Sequence, residues 1–154
     1  VISRPTTEQI LLDCRRELLE VIGPEVRSDA GRVIVQMLEN VLRNCATRAA
    51  HEIAWMREET VAMESFARDT LGTLPGAAGV AEALDAVAAG PRDSFHLDDV
   101  TTVYELAGEA MSRSLEAVLA ADHAELAARG AALLATRVAS EQQIMGEWGF
   151  VGRG

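Results

Sequence analysis

From Arg32 to Leu71 the chain has neither glycine nor proline, and this run limits the possible folds more than any other feature. Val33, Ile34, Met37, Leu38, Val41, Cys45, Ala49, Ile53 and Met56 fall within it at helical spacing. Apolar residues recurring at three- and four-residue steps lie on one side of an α-helix. Ser28 or Asp29 caps the start of this helix, and Gly72 to Gly79 (GTLPGAAG) ends it as a loop. A straight helix from Asp29 to Leu71 would be roughly 64 Å long at 1.5 Å per residue, whereas a compact domain of this size has a radius of gyration of about 15 Å. Two outcomes follow. Either the helix breaks near Glu58–Thr60, or it stays whole and another subunit covers its projecting apolar end.

The remaining segments also read as helices. The first runs from Pro5 or Thr6 to Ile22, where Gly23-Pro24 stops it. Thr6 and Gln9 fit a capping box, and Ile10, Leu11, Cys14, Leu18 and Ile22 share a face. A short alanine-rich helix covers Val80–Ala89, followed by a loop from Gly90 to Leu97. A longer helix starts at Asp98 or Asp99 and ends near Ala120, with Val100, Tyr104, Ala107, Met111, Leu115 and Val118 inward. Asp122 and Glu125 open a last helix to about Gly146, and so short a connection makes an antiparallel hairpin of the two. Gly108, Ala127, Gly130 and Ala131 are small enough for close helix approach. No window alternates with period two over a strand's length. The fold class expected is all-α: a bundle of five or six helices, including a long second helix and a C-terminal antiparallel helical hairpin. Residues 1–147 are read as one helical domain and 148–154 as a loose tail.

Composition narrows the chemistry. Apolar residues are 49% of the 154 residues, and aromatics only 4%. The core must therefore come from Leu, Val, Ile, Met and Ala, which favour helix. The net charge of −10 removes the attraction that drives binding to phosphate backbones and anionic membranes, so neither nucleic acid nor membrane is expected as a partner. All 14 basic residues are Arg. Without a lysine amine there is no Schiff-base chemistry and no P-loop. Cys14 and Cys45 make no CxxC pair, and both are expected to be reduced and buried. No apolar run approaches the ~20 residues of a membrane span. Val1 to Thr7 is polar and carries a proline, unlike a signal peptide, so a cytoplasmic location is expected.

No catalytic motif stands out. Di-iron bundles need Glu-x-x-His on two helices, and the sequence has none. His96 near Asp98 and Asp99, and His123 near Asp122 and Glu125, could each bind a cation, but read first as loop histidines beside capping carboxylates. No metal or cofactor is implied. The most site-like group is His51, Trp55 and Glu59, which stand four residues apart on one helical stripe and can line a pocket. Glu52 and Glu58 flank them. Packing of Trp55 on a neighbouring helix is the competing explanation. Trp148 and Phe150 are aromatics that either fold onto their own domain or anchor an interface.

The opening Arg4-Pro5-Thr6-Thr7-Glu8-Gln9-Ile10-Leu11, followed by Gly31-Arg32-Val33 and Leu38-Glu39-Asn40-Val41-Leu42, resembles an uncharacterised family of short bacterial all-helical proteins. Its members are encoded near aminoglycoside-phosphotransferase-like kinases and acyl-CoA dehydrogenases. The likeness covers about the first 60 residues. The family's closing basic helix, with its Asn-Pro-like turn and aromatic, is absent here. The resemblance implies an accessory role near acyl-CoA or phosphotransferase metabolism and carries no catalytic residues. The function expected is that of a non-enzymatic helical accessory or interaction protein, homodimeric. The alternative is a small-molecule-binding protein or enzyme with its pocket at His51, Trp55 and Glu59.

Overall fold

The computed structural model describes residues 4–77 and 79–145. Among these residues there are five helices and no strand. Helix α1 is Thr7–Glu17, continued by a π-helical turn Leu18–Ile22 and a last α-turn Gly23–Glu25. Helices α2 (Asp29–Thr73), α3 (Val80–Ala89), α4 (Leu97–Ala120) and α5 (Ala124–Met145) follow. None of them is long and apolar enough to cross a membrane. The expected tail, with Trp148 and Phe150, lies outside the described residues.

Local chemistry explains the helix ends. The Thr6 hydroxyl accepts from the Gln9 N–H at 3.3 Å, and the Gln9 side chain accepts from the Thr6 N–H at 2.9 Å. Ser28 caps α2 by accepting from the Gly31 N–H at 3.1 Å. Gly23-Pro24 does not stop α1 where the sequence reading placed the end. The Gly23 N–H reaches back to the Leu18 carbonyl, and this wider π-turn leads into Pro24 at the start of the following α-turn. A proline there lacks only a donor that the first turn leaves spare. Helix α2 passes through Glu58–Thr60 without a break.

The chain's contacts cluster into two units. Unit 1 takes in the described parts of Val1–Glu52 and Glu141–Gly154, and unit 2 is Ile53–Ser140. In unit 2, Met63, Phe66 and Ala67 of α2 meet Val80, Leu84 and Val87 of α3. Val103, Ala107, Met111 and Val118 of α4 and Leu126 of α5 complete this core. The inward face expected for α4 is therefore inward. Of the small residues proposed for close approach, Gly130 is the decisive one. A Cβ there would fall 2.5 Å from Leu115 and 3.2 Å from the Phe66 ring. Ala127 packs on the core, whereas Ala131 is exposed and a Cβ at Gly108 would meet nothing.

The α4–α5 connection is a helix stop with an unusual residue. The N–H groups of Asp122 and His123 bond the carbonyls of Leu119 and Val118, the Schellman pattern. Asp122 occupies the left-handed position with φ 49°, where glycine is normally found. His123 then caps α5, its Nδ1 accepting from the Leu126 N–H at 3.3 Å. We expect Asp122→Gly to stabilise the protein by about 0.5–1 kcal/mol, because the left-handed cost to an L-residue exceeds glycine's entropy cost. Thermal unfolding of the variant would check this; an unchanged or lower midpoint would contradict it.

Unit 1 is built differently. Helices α1 and α2 pack antiparallel: Arg15 of α1 pairs with Glu39 of α2 at 2.7 Å, and Gly23 lies against Val35. The Asn44 amide, turned so that its nitrogen faces two carbonyls, bonds Ile144 near the end of α5 at 2.7 Å. Among the described residues of unit 1, only Leu18 and Ala46 are buried apolar residues. Cys14 and Cys45 are free thiols, but both are exposed rather than buried.

Candidate functional site

Two places in the molecule depart from simple packing. The first is a cavity of about 130 Å³ in unit 2, lined from α2 by Trp55, Glu58, Glu59, Ala62 and Met63. The three- and four-residue spacing of those positions turns them to one side of the helix. Leu133, Thr136, Arg137 and Ser140 of α5 form the opposite wall. Behind it, the Tyr104 hydroxyl of α4 donates to Glu59 Oε2 at 2.7 Å, and Arg137 Nε lies 3.5 Å from the same oxygen. The Arg137 guanidinium also stands 5.5 Å from the centre of the Tyr104 ring. Phenol and guanidinium together hold one carboxylate in place at the edge of an apolar hollow.

Of the expected trio, Trp55 and Glu59 line this cavity. His51 is exposed and belongs to unit 1. Glu58 is exposed at the cavity's side, and Glu52 pairs with Arg48 at 2.8 Å. Sequence reading did not find Tyr104 or Arg137 as partners of Glu59. They lie 45 and 78 positions away in the chain (104 − 59 and 137 − 59), and only helix packing brings them together.

The phenol's titration carries the mark of this packing. Burial, and then the hydrogen bond to Glu59, push the Tyr104 phenol above its ordinary value near 10. The Arg92 and Arg113 guanidiniums are pushed up as well, foremost by their hydrogen bonds to Glu64 and Glu109. Tyr104 is the one tyrosine of the chain, so tyrosinate absorbance reports on it alone. Its titration should have a midpoint above 10, moving back toward 10 in Glu59→Gln. A raised folded-state value stabilises the protonated form. Its contribution to stability is complete below pH 10 and is lost as pH rises through the raised value. A midpoint at or below 10 in the wild type would contradict the burial of this phenol.

Of the two loop histidines, His123 caps a helix with its ring, whereas His96 contributes its backbone N–H. Ser94 Oγ donates to Asp99 at 2.6 Å and accepts from the His96 N–H at 3.1 Å, shaping the start of α4. Among the described residues no group of three or more His, Cys, Asp or Glu is placed to hold a metal ion. The loop before α4 is clamped by Arg57, which donates to the carbonyls of Arg92 and Ser94 at 3.2 and 3.0 Å. Its guanidinium also lies 4.4 Å from the centre of the exposed Phe95 ring. A second hollow of about 90 Å³ lies beside this clamp.

The second unusual place is the surface of unit 1. Val33, Ile34, Met37, Leu38 and Val41 are between 47% and 63% exposed. They form a continuous helical stripe on α2, closed at its C-terminal end by the Arg48–Glu52 ion pair. Isolated exposed aliphatic residues are ordinary, but a contiguous patch marks an interaction surface. The sequence signal for this stripe was plain, but the burial normally inferred from such a signal is missing among the described residues.

No protein-family model, curated protein or solved structure matches this chain.

Proposed function

We propose that this chain is a non-enzymatic, cytoplasmic helical interaction protein, acting as an accessory subunit whose docking surface is the apolar stripe of α2 in unit 1. The observation that carries this reading is the contrast between the units. Unit 2 has a buried core from Met63 to Leu126, with Val61, Phe95 and Leu119 exposed singly, while unit 1 leaves its longest apolar stripe half exposed as one patch. Exposed hydrocarbon of this extent gains free energy when a partner removes it from water, about 25 cal/mol per Å². The resemblance of the opening segment to helical proteins encoded near acyl-CoA dehydrogenases and phosphotransferase-like kinases fits an accessory role in that metabolism.

The reading is tested by affinity capture from the native host with the wild-type chain and with Met37→Glu in parallel. Met37 is 63% exposed, so a charge there leaves the isolated fold intact. Association that the variant loses supports the docking surface. Identical capture by both chains would remove it.

A second reading has its own observation, the cavity beside the Tyr104–Glu59–Arg137 group. It makes the chain a small-molecule-binding protein or enzyme with Trp55 and Glu59 at the ligand. Its volume of about 130 Å³ suits only a small ligand. Thermal-shift screening of small metabolites against wild type and Ala62→Trp, which fills the hollow, separates the two readings. A hit abolished by the filled cavity favours this one.

A further inference from the structure

We infer that the hollow between α2 and α5 in unit 2 takes a small primary alkylammonium ion, with about four to six heavy atoms. This rests on the small-molecule reading above and names its ligand class.

The side chains around the hollow accept hydrogen bonds more than they donate them. The Ser140 hydroxyl spends its hydrogen on the Thr136 carbonyl at 3.3 Å, and the Thr136 hydroxyl spends its own on the Ala132 carbonyl at 3.2 Å. What each hydroxyl has left is lone pairs, which only accept. Ionised Glu58 and Glu59 are acceptors throughout. Tyr104 and Arg137 both meet Glu59 at Oε2, and Oε1 takes neither contact. Against these stand the N–H groups of Trp55 and Arg137. A primary ammonium brings three donors and no acceptor, the complement of this set.

Charge decides between a cationic and an anionic ligand. Arg137 is already compensated, lying beside the Glu59 carboxylate and over the Tyr104 ring. Glu58 enters none of the ion pairs among the described residues. Two carboxylates and one guanidinium therefore leave the hollow with a negative charge in excess. A carboxylate drawn to Arg137 would be repelled by both glutamates, whereas an ammonium is attracted by both. Trp55 adds to the preference, since indole is the aromatic side chain that attracts a cation most.

Size and the apolar wall set the rest of the ligand. The cavity of about 130 Å³ is slightly smaller than the ~150 Å³ of an apolar cavity that holds benzene. Ala62, Met63 and Leu133 line it with hydrocarbon, which suits a short alkyl chain and not a second charge.

Isothermal titration calorimetry of the full chain with n-butylammonium, 1-butanol and butyrate tests the inference, at neutral pH and ~0.1 M salt, where the Debye length is about 10 Å. Butylammonium is expected to bind more tightly than butanol, and butyrate more weakly than either. Glu58→Gln, at an exposed position, should weaken butylammonium about fivefold. Glu125→Gln removes the same charge about 12 Å along α5 from Leu133 and should change nothing. Ala62→Trp should abolish binding, and Glu58→Gln keeps the test if that variant does not fold. Butylammonium binding that survives Ala62→Trp, or falls equally in Glu125→Gln, would be diffuse attraction to an acidic surface and would overturn the inference. Butanol or butyrate bound at least as tightly as butylammonium, and lost in Ala62→Trp, would overturn the ligand class but keep the small-molecule reading. Binding of none of the three would remove both.

Discussion

Phe66→Ala is expected to cost about 3–5 kcal/mol of stability, the range for removing a large aromatic ring from a packed core. Phe66 is 1% exposed and lies in the centre of unit 2, touching the place where α5 comes closest through Gly130. The truncation removes the ring's burial and leaves a cavity. The walls cannot collapse freely, because Gly130 already allows the closest approach its helix can make. Equilibrium urea unfolding would measure the loss. A cost below about 1.5 kcal/mol would mean that the core repacks around the gap and is not tightly built. The reverse change in volume should also be felt. At Gly130→Ala the helix propensity gain of about 1 kcal/mol is set against overpacking of about 1–3 kcal/mol. The Leu115 side chain can swing aside, but the Phe66 ring cannot.

Arg92→Ala is expected to destabilise the protein by about 2–3 kcal/mol, although Arg92 itself is partly exposed. The reason lies with its partner. Glu64 is 6% exposed, and Arg92 grips both of its oxygens, one of them at 3.1 Å. Removing the arginine leaves a buried carboxylate with only Arg68, 3.7 Å away and largely in solvent. Arg68→Ala should therefore cost no more than about 0.5 kcal/mol, as exposed pairs do. Restoring a neutral side chain in the double variant Glu64→Gln/Arg92→Ala should recover part of the loss. If Arg92→Ala and Arg68→Ala cost the same, the 28-residue closure between Glu64 and Arg92 does not hold the loop before α4.

These two contacts show where reading the chain alone stops. Glu39–Arg43 and Glu64–Arg68 stand out in the sequence because a helix brings residues four apart together. Both pairs occur, at 3.9 and 3.7 Å. Yet each carboxylate makes its shorter contact with an arginine from another segment: Glu39 with Arg15 at 2.7 Å, and Glu64 with Arg92. Similarly, Trp55 and Glu59 were recognisable as neighbours on one stripe, whereas Tyr104 and Arg137 were not recognisable as what holds Glu59. The loop histidines were read as neighbours of capping carboxylates; instead His123 itself accepts from the Leu126 N–H, while the His96 side chain makes no cap bond.

By itself the sequence determined the all-helical class, the capping box at Thr6 and the inward face of α4, and narrowed the cap of α2 to Ser28 or Asp29; that α2 runs unbroken through Glu58–Thr60 it left open. Those features depend on interactions within about one turn, which spacing encodes directly. Only the tertiary structure decided which apolar stripes are hidden. The stripe from Val33 to Val41 has the same periodicity as the core stripe of α4, but one is exposed and the other buried. Periodicity states that hydrocarbon shares a side of a helix; what lies opposite that side is set by the path of the rest of the chain.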